Sequence, residues 1–420
     1  MRSEWTAMPS GGTGAGAGTC TRTVRLPGHR RRLATAAVAF AFWTTMVGTT
    51  VPTPLYPLYE RAFGFSSSAA TVVFAVYAGG VVVGLLVLGR LADQVGRRPV
   101  LAAALLLSVA AAALFLLAQG LTALLAGRVL SGLSAALITA AATAGLTELA
   151  PAARRARAGI LALAANMGGL ACGTLLGGIT AQYAPAPLRI LWGAQGALAV
   201  IALIGLVAVP ETVTPTGRVS LGVQRLRVPA AARGPFLRSA LVSGSGFAVL
   251  GVFASVSALF LAELGVSNLA ASGLMVGLAF LGTAAGQLLV GALGTRNALP
   301  AACCGLVVAA TLIATALLGR LLVPLIAASV LTGLATGAAV GDGVTGIAAS
   351  VAPERRGEAY SAFFVILYAM LAAPAVGVGA LAAAYGPTAA GTVFSAAVAA
   401  LAAAVLAALV RARARAPEGA

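Results

Sequence analysis

Apolar runs of about 20 residues alternate with short polar connections along almost the whole chain. A helix of about 20 mostly apolar residues can cross the hydrocarbon of a bilayer because it satisfies its own backbone hydrogen bonds. The pattern therefore predicts 12 transmembrane helices. We place these spans at residues 33–53, 67–89, 99–119, 121–148, 158–182, 188–209, 237–262, 269–293, 299–319, 321–349, 358–384 and 388–410.

The polar segments divide the predicted spans into two groups of six. The longest internal polar segment lies between the sixth and seventh spans, where a hinge between two halves is expected. We therefore predict an all-α membrane protein built from two six-helix bundles. The predicted division is a disordered basic tail at 1–32, a first bundle at 33–209, a linker at 210–236, a second bundle at 237–410 and a second tail at 411–420.

The two predicted bundles share an internal repeat. The sequence "AGRVLSGLSAAL" of residues 126–137 aligns with "AASVLTGLATGA" of residues 327–338, which places Gly132 opposite Gly333. At the same offset, the following loops carry matching arginine pairs. Repeats arranged in parallel about an axis along the membrane normal typically form a substrate site between the halves and work by rocking around it.

Composition and charge support the membrane assignment and set the orientation. Of the 420 residues, 60% are hydrophobic and 9% are charged, far from the balance of a soluble domain. With the amino terminus inside, all but four of the 27 basic residues fall on the cytoplasmic side, the exceptions being Arg61, Arg128, Arg189 and Arg320. The positive-inside rule then predicts a multi-pass protein of the inner or plasma membrane with both termini cytoplasmic.

Other classes of protein fit the sequence less well. The net charge of +17 is split among loops, so contact with anionic lipid headgroups explains it better than nucleic-acid binding. The four cysteines show neither metal-ligand nor disulfide spacing, and the spans contain no nucleophile and base pair. We therefore expect no metal, no cofactor and no enzymatic activity.

A short charged sequence, "GRLADQVGRRPVL" at residues 89–101, separates the second and third spans. It resembles the signature loop of the major facilitator superfamily at the same place, through Gly89, Asp93, Gly96, Arg97 and Arg98. The resemblance implies the 12-span major facilitator fold and covers nearly the whole chain.

Two further segments carry the same resemblance. "LLAGRVLSGLSAA" resembles the family's fourth-span pattern, with Arg128 and Gly132 in place. "GLACGTLLGG" resembles the fifth-span pattern of the drug:proton antiporter branch, although Thr174 stands where that pattern has proline. Glycines at spacing four in this pattern predict close packing of the fifth span on a neighbour. The helix-packing residues that we name are Gly132, Gly169, Gly173, Gly177, Gly178, Gly333 and Pro374.

The charged loop suggests a conformational latch. A carboxylate is favoured at a helix amino terminus, and the resemblance points Asp93 to the start of the eleventh span. Arg97 would pair with Glu148 at the end of the fourth span. We hypothesise that the loop joins the halves when the cavity faces outward and separates when it faces inward. The alternative, a solvated turn whose arginines only follow the positive-inside rule, gives no reason for Asp93.

Two ionisable residues lie within predicted spans, and such residues are expensive and typically functional. The fourth-span resemblance makes Arg128 a candidate for proton coupling. A bond to backbone carbonyls and contact with an anionic part of the solute are the alternatives. Asp342 is a candidate proton carrier, because a desolvated carboxylate can exchange protons near neutral pH. A cap, or a pair with Arg355 or Arg356, remains the alternative role for Asp342.

The predicted cavity lining is neutral and comes from several spans. In the resembled family, spans one, four, seven and ten surround the cavity, and spans five and eleven are added here. Scattered hydroxyls on an apolar lining suit a lipophilic solute, although each hydroxyl alone more often bonds its own helix. The candidates are Trp43, Thr44, Thr49, Thr139, Thr143, Asn166, Ser243, Ser245 and Tyr368.

Taken together, the residues and the resemblance favour proton-coupled efflux of small amphipathic or drug-like solutes by alternating access. The expected partners are the solute, protons and membrane lipid, with no nucleic acid, and the expected state is a monomer. A uniporter or symporter for a small metabolite, anionic if Arg128 contacts it, is the first alternative. A non-transporting membrane receptor is the second, but the sequence lacks the sizeable soluble domain that signalling would use.

Overall fold

A computed structural model describes residues 27–213, 222, 226–352 and 355–414. Within those residues, 12 helices are long and apolar enough to cross a membrane. The observed spans 1 to 12 are Gly28–Thr50, Ser67–Val83, Arg97–Leu116, Leu121–Leu149, Arg155–Tyr183, Pro187–Gly205, Arg233–Glu263, Leu269–Leu293, Thr295–Gly319, Leu322–Ser350, Arg356–Tyr385 and Pro387–Ala414. Because the number of these spans is even, the first and the last described residues lie on the same side of the membrane. We call this side the terminal face and the other side the opposite face.

Several helices run beyond the apolar stretch that predicts them. Span 1 begins at Gly28, so the basic run Arg30–Arg32 lies on its first turns and not in the expected tail. Span 7 begins at Arg233, inside the expected linker, and span 12 continues to Ala414. Hydropathy marks only the stretch in hydrocarbon, whereas arginines at a helix end can extend their charged heads to the interface. The rest of the tails, and linker residues 214–221 and 223–225, lie outside the described residues.

The glycines aligned in the internal repeat make the same kind of contact in both halves. A Cβ added at Gly132 of span 4 would lie 2.9 Å from the backbone nitrogen of Val81 in span 2. A Cβ added at Gly333 of span 10 would lie 2.9 Å from the Cα of Gly282 in span 8. The aligned glycines thus serve the same purpose in each half, which is close approach of two helix backbones.

The halves meet closely at the opposite face. A Cβ at Gly178 of span 5 would lie 3.0 Å from the Cα of Gly273 in span 8, and the Leu269 amide donates to Gln182 Oε1 at 2.9 Å. Span 11 packs on span 2 there, with Gly379 directly against the Thr71 side chain. Near the terminal face, the Thr143 side chain of span 4 is exposed. We interpret this exposure, together with the close contact at the opposite face, as a cleft between the halves that opens towards the terminal face.

Candidate functional site

The charged loop is built around Arg97 at the start of span 3. Its Nη1 lies 2.7 Å from Asp93 Oδ1, and its Nη2 lies 2.9 Å from Glu148 Oε1 at the end of span 4. Arg97 is mostly buried, whereas the Asp93 side chain is 50% exposed. The pair of Arg97 with Glu148 is the one that the sequence predicts, and it joins spans 3 and 4 within the first half.

Glu211, just after span 6, completes this cluster and was missed in the sequence. Its Oε1 accepts from the Arg97 amide at 2.8 Å, and its Oε2 accepts from the Arg98 amide at 3.1 Å. Its neighbour Thr212 donates its hydroxyl to Glu148 Oε2 at 2.6 Å. The carboxylate thus caps span 3, whose first amides have no partner within their own helix. An acid and a hydroxyl placed directly after a span, "VPET", were the available signal.

Gly96 makes this cap possible. Its φ of 106° lies in a region that favours glycine. A Cβ there would lie 2.5 Å from Glu211 Oε2. Any side chain at this position would both strain the backbone and displace the carboxylate.

The structure does not place Asp93 at the amino terminus of span 11. Its carboxylate pairs with Arg97 four residues later, and its short helix Leu91–Val95 packs on spans 3 and 4 of its own half. Span 11 approaches Gly84–Leu88, the segment that ends span 2 just before the loop. The latch hypothesis places this contact only in the outward-facing conformation, so the latch stays a hypothesis.

The remaining residues of the predicted latch are Gly89 and Arg98. Gly89 follows a π-helical segment, Gly84–Leu88, that ends span 2 and was not predicted. Such segments occur frequently at functional sites. Arg98 exposes its side chain and contributes only its amide to the cluster. Within the π-helical segment, Gly84 packs closely on span 4, because a Cβ there would lie 2.5 Å from the Ala136 Cβ.

Arg128 is completely buried inside the first half. Its Nη1 donates to the Thr49 carbonyl at 2.7 Å, and its Nη2 donates to the Tyr56 hydroxyl. The guanidinium carbon also lies 5.5 Å from the ring centroids of Tyr56 and Tyr77. Span 1 ends at Thr50, so Arg128 satisfies a carbonyl at the helix end. Among the three roles that the sequence leaves open for Arg128, the structure shows the bond to a backbone carbonyl.

Tyrosines extend this cluster to the second half. The Tyr77 hydroxyl is within hydrogen-bonding reach of Thr49 and of Tyr368 in span 11. Tyr368, a predicted cavity residue, therefore lies where span 2 meets span 11. Sequence reasoning missed Tyr77 because aromatic residues in apolar spans carry no distinct pattern, and it missed Tyr56 because this residue lies in the connection after span 1, at the start of the short helix Tyr56–Phe63.

Asp342 lies on span 10 beside a cavity of about 330 Å³ near the terminal face. Its Oδ2 accepts from the Ser239 hydroxyl of span 7 at 2.8 Å. Phe236, Phe363 and Thr345 also line the cavity. The carboxylate bonds this hydroxyl rather than either of the arginines considered above. Arg356 instead donates its Nε to the Val351 carbonyl at 3.0 Å.

The structure divides the predicted cavity residues into two sets. Four are buried: Thr44, Thr49, Ser243 and Ser245. Five retain exposure: Trp43, Thr139, Thr143, Asn166 and Tyr368.

Thr44 and Thr49 both lie next to Gln195 of the first half. The Thr44 carbonyl accepts from Gln195 Nε2 of span 6 at 2.9 Å. Thr49 lines a void of about 10 Å³ together with Gln195. Ser245 bonds the Leu241 carbonyl of its own helix at 2.8 Å, and the buried Ser243 hydroxyl has no described partner. Span 1 is apolar on nearly all sides, so its sequence does not show which face meets the cleft.

The glycine face of span 5 packs on span 1, as its spacing predicts. Cβ atoms at Gly169 and Gly177 would meet Trp43 and Pro54 respectively, and Gly173 faces Val47. Thr174, at the proline position, is buried and donates to the Ala171 carbonyl at 2.9 Å. In span 11 the helix continues from Arg356 to Tyr385 with Pro374 inside it.

Comparisons with known proteins agree with this architecture. The Major Facilitator Superfamily profile matches residues 38–368. The chain therefore belongs to this family of transporters. No curated protein sequence matches the chain.

Two similar solved structures show the same fold. A bacterial homologue of the human lysosomal transporter Spinster, inward-facing and unoccupied, superposes with a TM-score of 0.66 at 18% identity, over 91% of this chain and 95% of the other. The human organic anion transporter MFSD10 gives a TM-score of 0.62 at 18% identity, over 91% and 100% of the chains.

Proposed function

We propose that the protein is a proton-coupled carrier that exports small amphipathic solutes by alternating access. Family membership supports secondary transport, and the contact between halves at one face supports a cleft that opens to one side at a time. Arginines concentrated on the terminal face support a cytoplasmic location for it under the positive-inside rule. In this assignment the structure is open to the cytoplasm, ready to load a solute for export.

The observation that carries proton coupling is the setting of Asp342. Its carboxylate borders a cavity near the terminal face and bonds a neutral hydroxyl at 2.8 Å, not a cation. An acid in this setting can take up and release a proton without breaking an ion pair. A carboxylate within a membrane span is costly to keep, which supports a function for Asp342.

The neutral cleft supports an amphipathic solute. Thr139 and Thr143 lie on one partly exposed face of span 4, and Trp43 and Asn166 remain partly exposed on spans 1 and 5. These groups offer hydroxyl, amide and aromatic contacts without fixed charge. Arg128 has no exposure and its guanidinium already bonds Thr49 and Tyr56. It is therefore not available to an anion in this conformation.

Proteoliposomes with an acidic lumen provide the test, with the cationic dye ethidium as the probe. We expect wild-type protein to accumulate ethidium and a protonophore to abolish the accumulation. Asp342→Asn should reduce accumulation to the level of empty liposomes, because the gradient no longer drives exchange. Glu263→Gln, at the opposite end of span 7, is the matched control and should transport normally. Equal accumulation by Asp342→Asn and wild type would exclude Asp342 as the proton site.

A second candidate is a uniporter or symporter for an anionic metabolite, supported by the fold shared with the human organic anion transporter. Fluorescein uptake in the same liposomes separates the two functions. Gradient-independent fluorescein uptake without ethidium transport would favour the second candidate over export.

The charged loop would then act as a latch when the terminal face closes. A carboxylate at a partly buried helix amino terminus contributes about 1–2 kcal/mol, enough to shift a two-state population about tenfold. The half-exposed pair that Asp93 makes here contributes only about 0–1 kcal/mol. Asp93 should therefore favour the conformation that is closed at the terminal face.

Asp93→Asn tests this latch. Thr71→Cys reports opening of the opposite face, because Thr71 is buried against span 11 in this conformation. In a background without the native cysteines, Asp93→Asn should lower its labelling about tenfold. Asp93→Glu, which keeps the charge, should retain more labelling than Asp93→Asn. An unchanged labelling ratio in Asp93→Asn rejects the latch.

A further inference from the structure

A basic groove lies at the terminal face of the second half, where spans 7 and 11 begin. Its volume is about 560 Å³, and Arg227, Arg233 and Arg355 line it. None of the described residues that line the groove is acidic. Three guanidinium groups around one space, without a described counter-charge, favour an anionic ligand.

The helices reinforce this positive potential. Arg233 is the first residue of span 7, and Arg355 is the N-cap residue of span 11. Neither helix start has a side-chain cap among the described residues, and the positive ends of the two helix dipoles add to the arginines. Arg233 Nε donates to the Val228 carbonyl at 3.2 Å, which orients its guanidinium without using the Nη groups.

Apolar side chains border the same groove. Leu226 and Leu237 are 45% and 51% exposed, and Phe236 also lines the space. A soluble anion gains nothing from exposed leucines beside a cationic site. A phospholipid uses both features, since its headgroup meets the arginines while its acyl chains cover the leucines.

We propose that this groove binds the anionic headgroup of a phospholipid from the adjacent leaflet. The bound lipid would join the end of the linker, at Arg227, to the loop before span 11, at Arg355. The groove shares Val228 and Phe236 with the Asp342 cavity, so the lipid would stabilise one wall of that cavity. This assignment does not depend on the identity of the solute.

Native mass spectrometry of the full chain in detergent provides the test, with dioleoyl phosphatidylglycerol as the probe and phosphatidylcholine as the neutral comparison. We expect wild-type protein to retain phosphatidylglycerol preferentially. Each arginine near the surface contributes about 1 kcal/mol to such binding, so the triple variant Arg227→Gln, Arg233→Gln, Arg355→Gln should bind about a hundredfold more weakly. The corresponding triple lysine variant should keep most of the affinity.

The chain offers a matched control in the corresponding loop of the first half. Arg154, Arg155 and Arg157 are all exposed, so their triple glutamine variant removes the same charge from the same face. This variant should retain phosphatidylglycerol like wild type, and size-exclusion profiles should show that all variants are folded.

Three results would overturn the proposal. Equal retention by wild type and the groove variant would mean that the groove is not the site, as when the chain's own acidic residues occupy it. Equal losses in both glutamine variants would mean that only overall charge attracts the lipid. Competition by soluble glycerol phosphate at the same concentration as the lipid would indicate a site for free anions.

Discussion

Removing the Glu211 carboxylate should destabilise the contact between the start of span 3 and the segment that follows span 6. Besides capping Arg97 and Arg98, Oε1 accepts from the amides of Thr212 and Val213 at 3.0 and 3.2 Å. Glu211→Ala deletes all four bonds and leaves the positive end of span 3 without its anion. Glu211→Gln places an amide donor against one of the amide groups, so it should also destabilise the cluster.

The expected loss follows from these bonds. A hydrogen bond to a charged group contributes about 1.5–3 kcal/mol, and an anion at a helix amino terminus contributes about 0.3–1 kcal/mol, up to about 2. Water at this half-buried site replaces part of the loss. We therefore expect the free energy of unfolding to fall by about 2–4 kcal/mol in Glu211→Ala and by about 1–2 kcal/mol in Glu211→Gln.

The native tryptophans allow the measurement. Trp192 of span 6 stacks on Phe115 of span 3 with ring centroids 4.2 Å apart, so its fluorescence reports the packing of these two helices. Denaturation in mixed micelles, followed by this signal, gives the unfolding free energies. Glu263→Ala, at the opposite face, controls for loss of a negative charge. A Glu211→Ala variant within about 0.5 kcal/mol of wild type would refute the capping role, since surface changes fall in that range.

Two further predictions concern the closed face and the buried arginine. Gly273→Ala should increase labelling of Thr71→Cys, because the added Cβ would clash with span 5. The control is Gly291→Ala in the same span as Gly273, which has open space around it and should not change the labelling. Equal labelling in the two variants would contradict this reasoning. Arg128→Met should lower the unfolding free energy by about 2–5 kcal/mol, because the Thr49 carbonyl and the Tyr56 hydroxyl are left buried without this partner. Tyr56→Phe, which removes one hydroxyl, should cost about 1 kcal/mol by the same denaturation measurement, and a larger loss for Tyr56→Phe than for Arg128→Met would be inconsistent with that account.

The fold was predictable because each span is marked by a long apolar run. Span 8 has its predicted bounds, Leu269–Leu293, since Asn268 caps its start and Gly294, with a φ of 72°, ends the helix directly after Leu293. Span 1 differs because Gly28 and the arginines after it continue the helix beyond the apolar run. The boundary error is physical, because hydrophobicity records the bilayer core whereas helical hydrogen bonding continues through the interface.

The candidate site was only partly predictable. Acidic residues are scarce in this chain, 10 against 27 basic ones, so Arg97 has few possible partners besides Glu148 at the adjoining end of the next span. Glu211 contacts an amide 114 positions away, and nothing in its local sequence names that partner. Span 1 has too little polarity for its sequence to distinguish a face towards the cleft from a face towards its own bundle, so the position of Thr49 beside Gln195 was not predictable.

The charged loop also makes the two halves mechanically unequal. In the first half, charged hydrogen bonds connect the start of span 3 with the end of span 4 and with the segment after span 6. The residues that make them are Arg97, Glu148, Glu211 and Thr212. At the corresponding place in the second half, Thr295 stands where Asp93 would align. A loop anchored at so many points moves with its bundle as one body, so a contact from Asp93 to span 11 can form only through motion of whole halves. Substitutions in the loop should therefore change the balance between conformations more than the shape of the first half, whereas substitutions at Glu211 should change both.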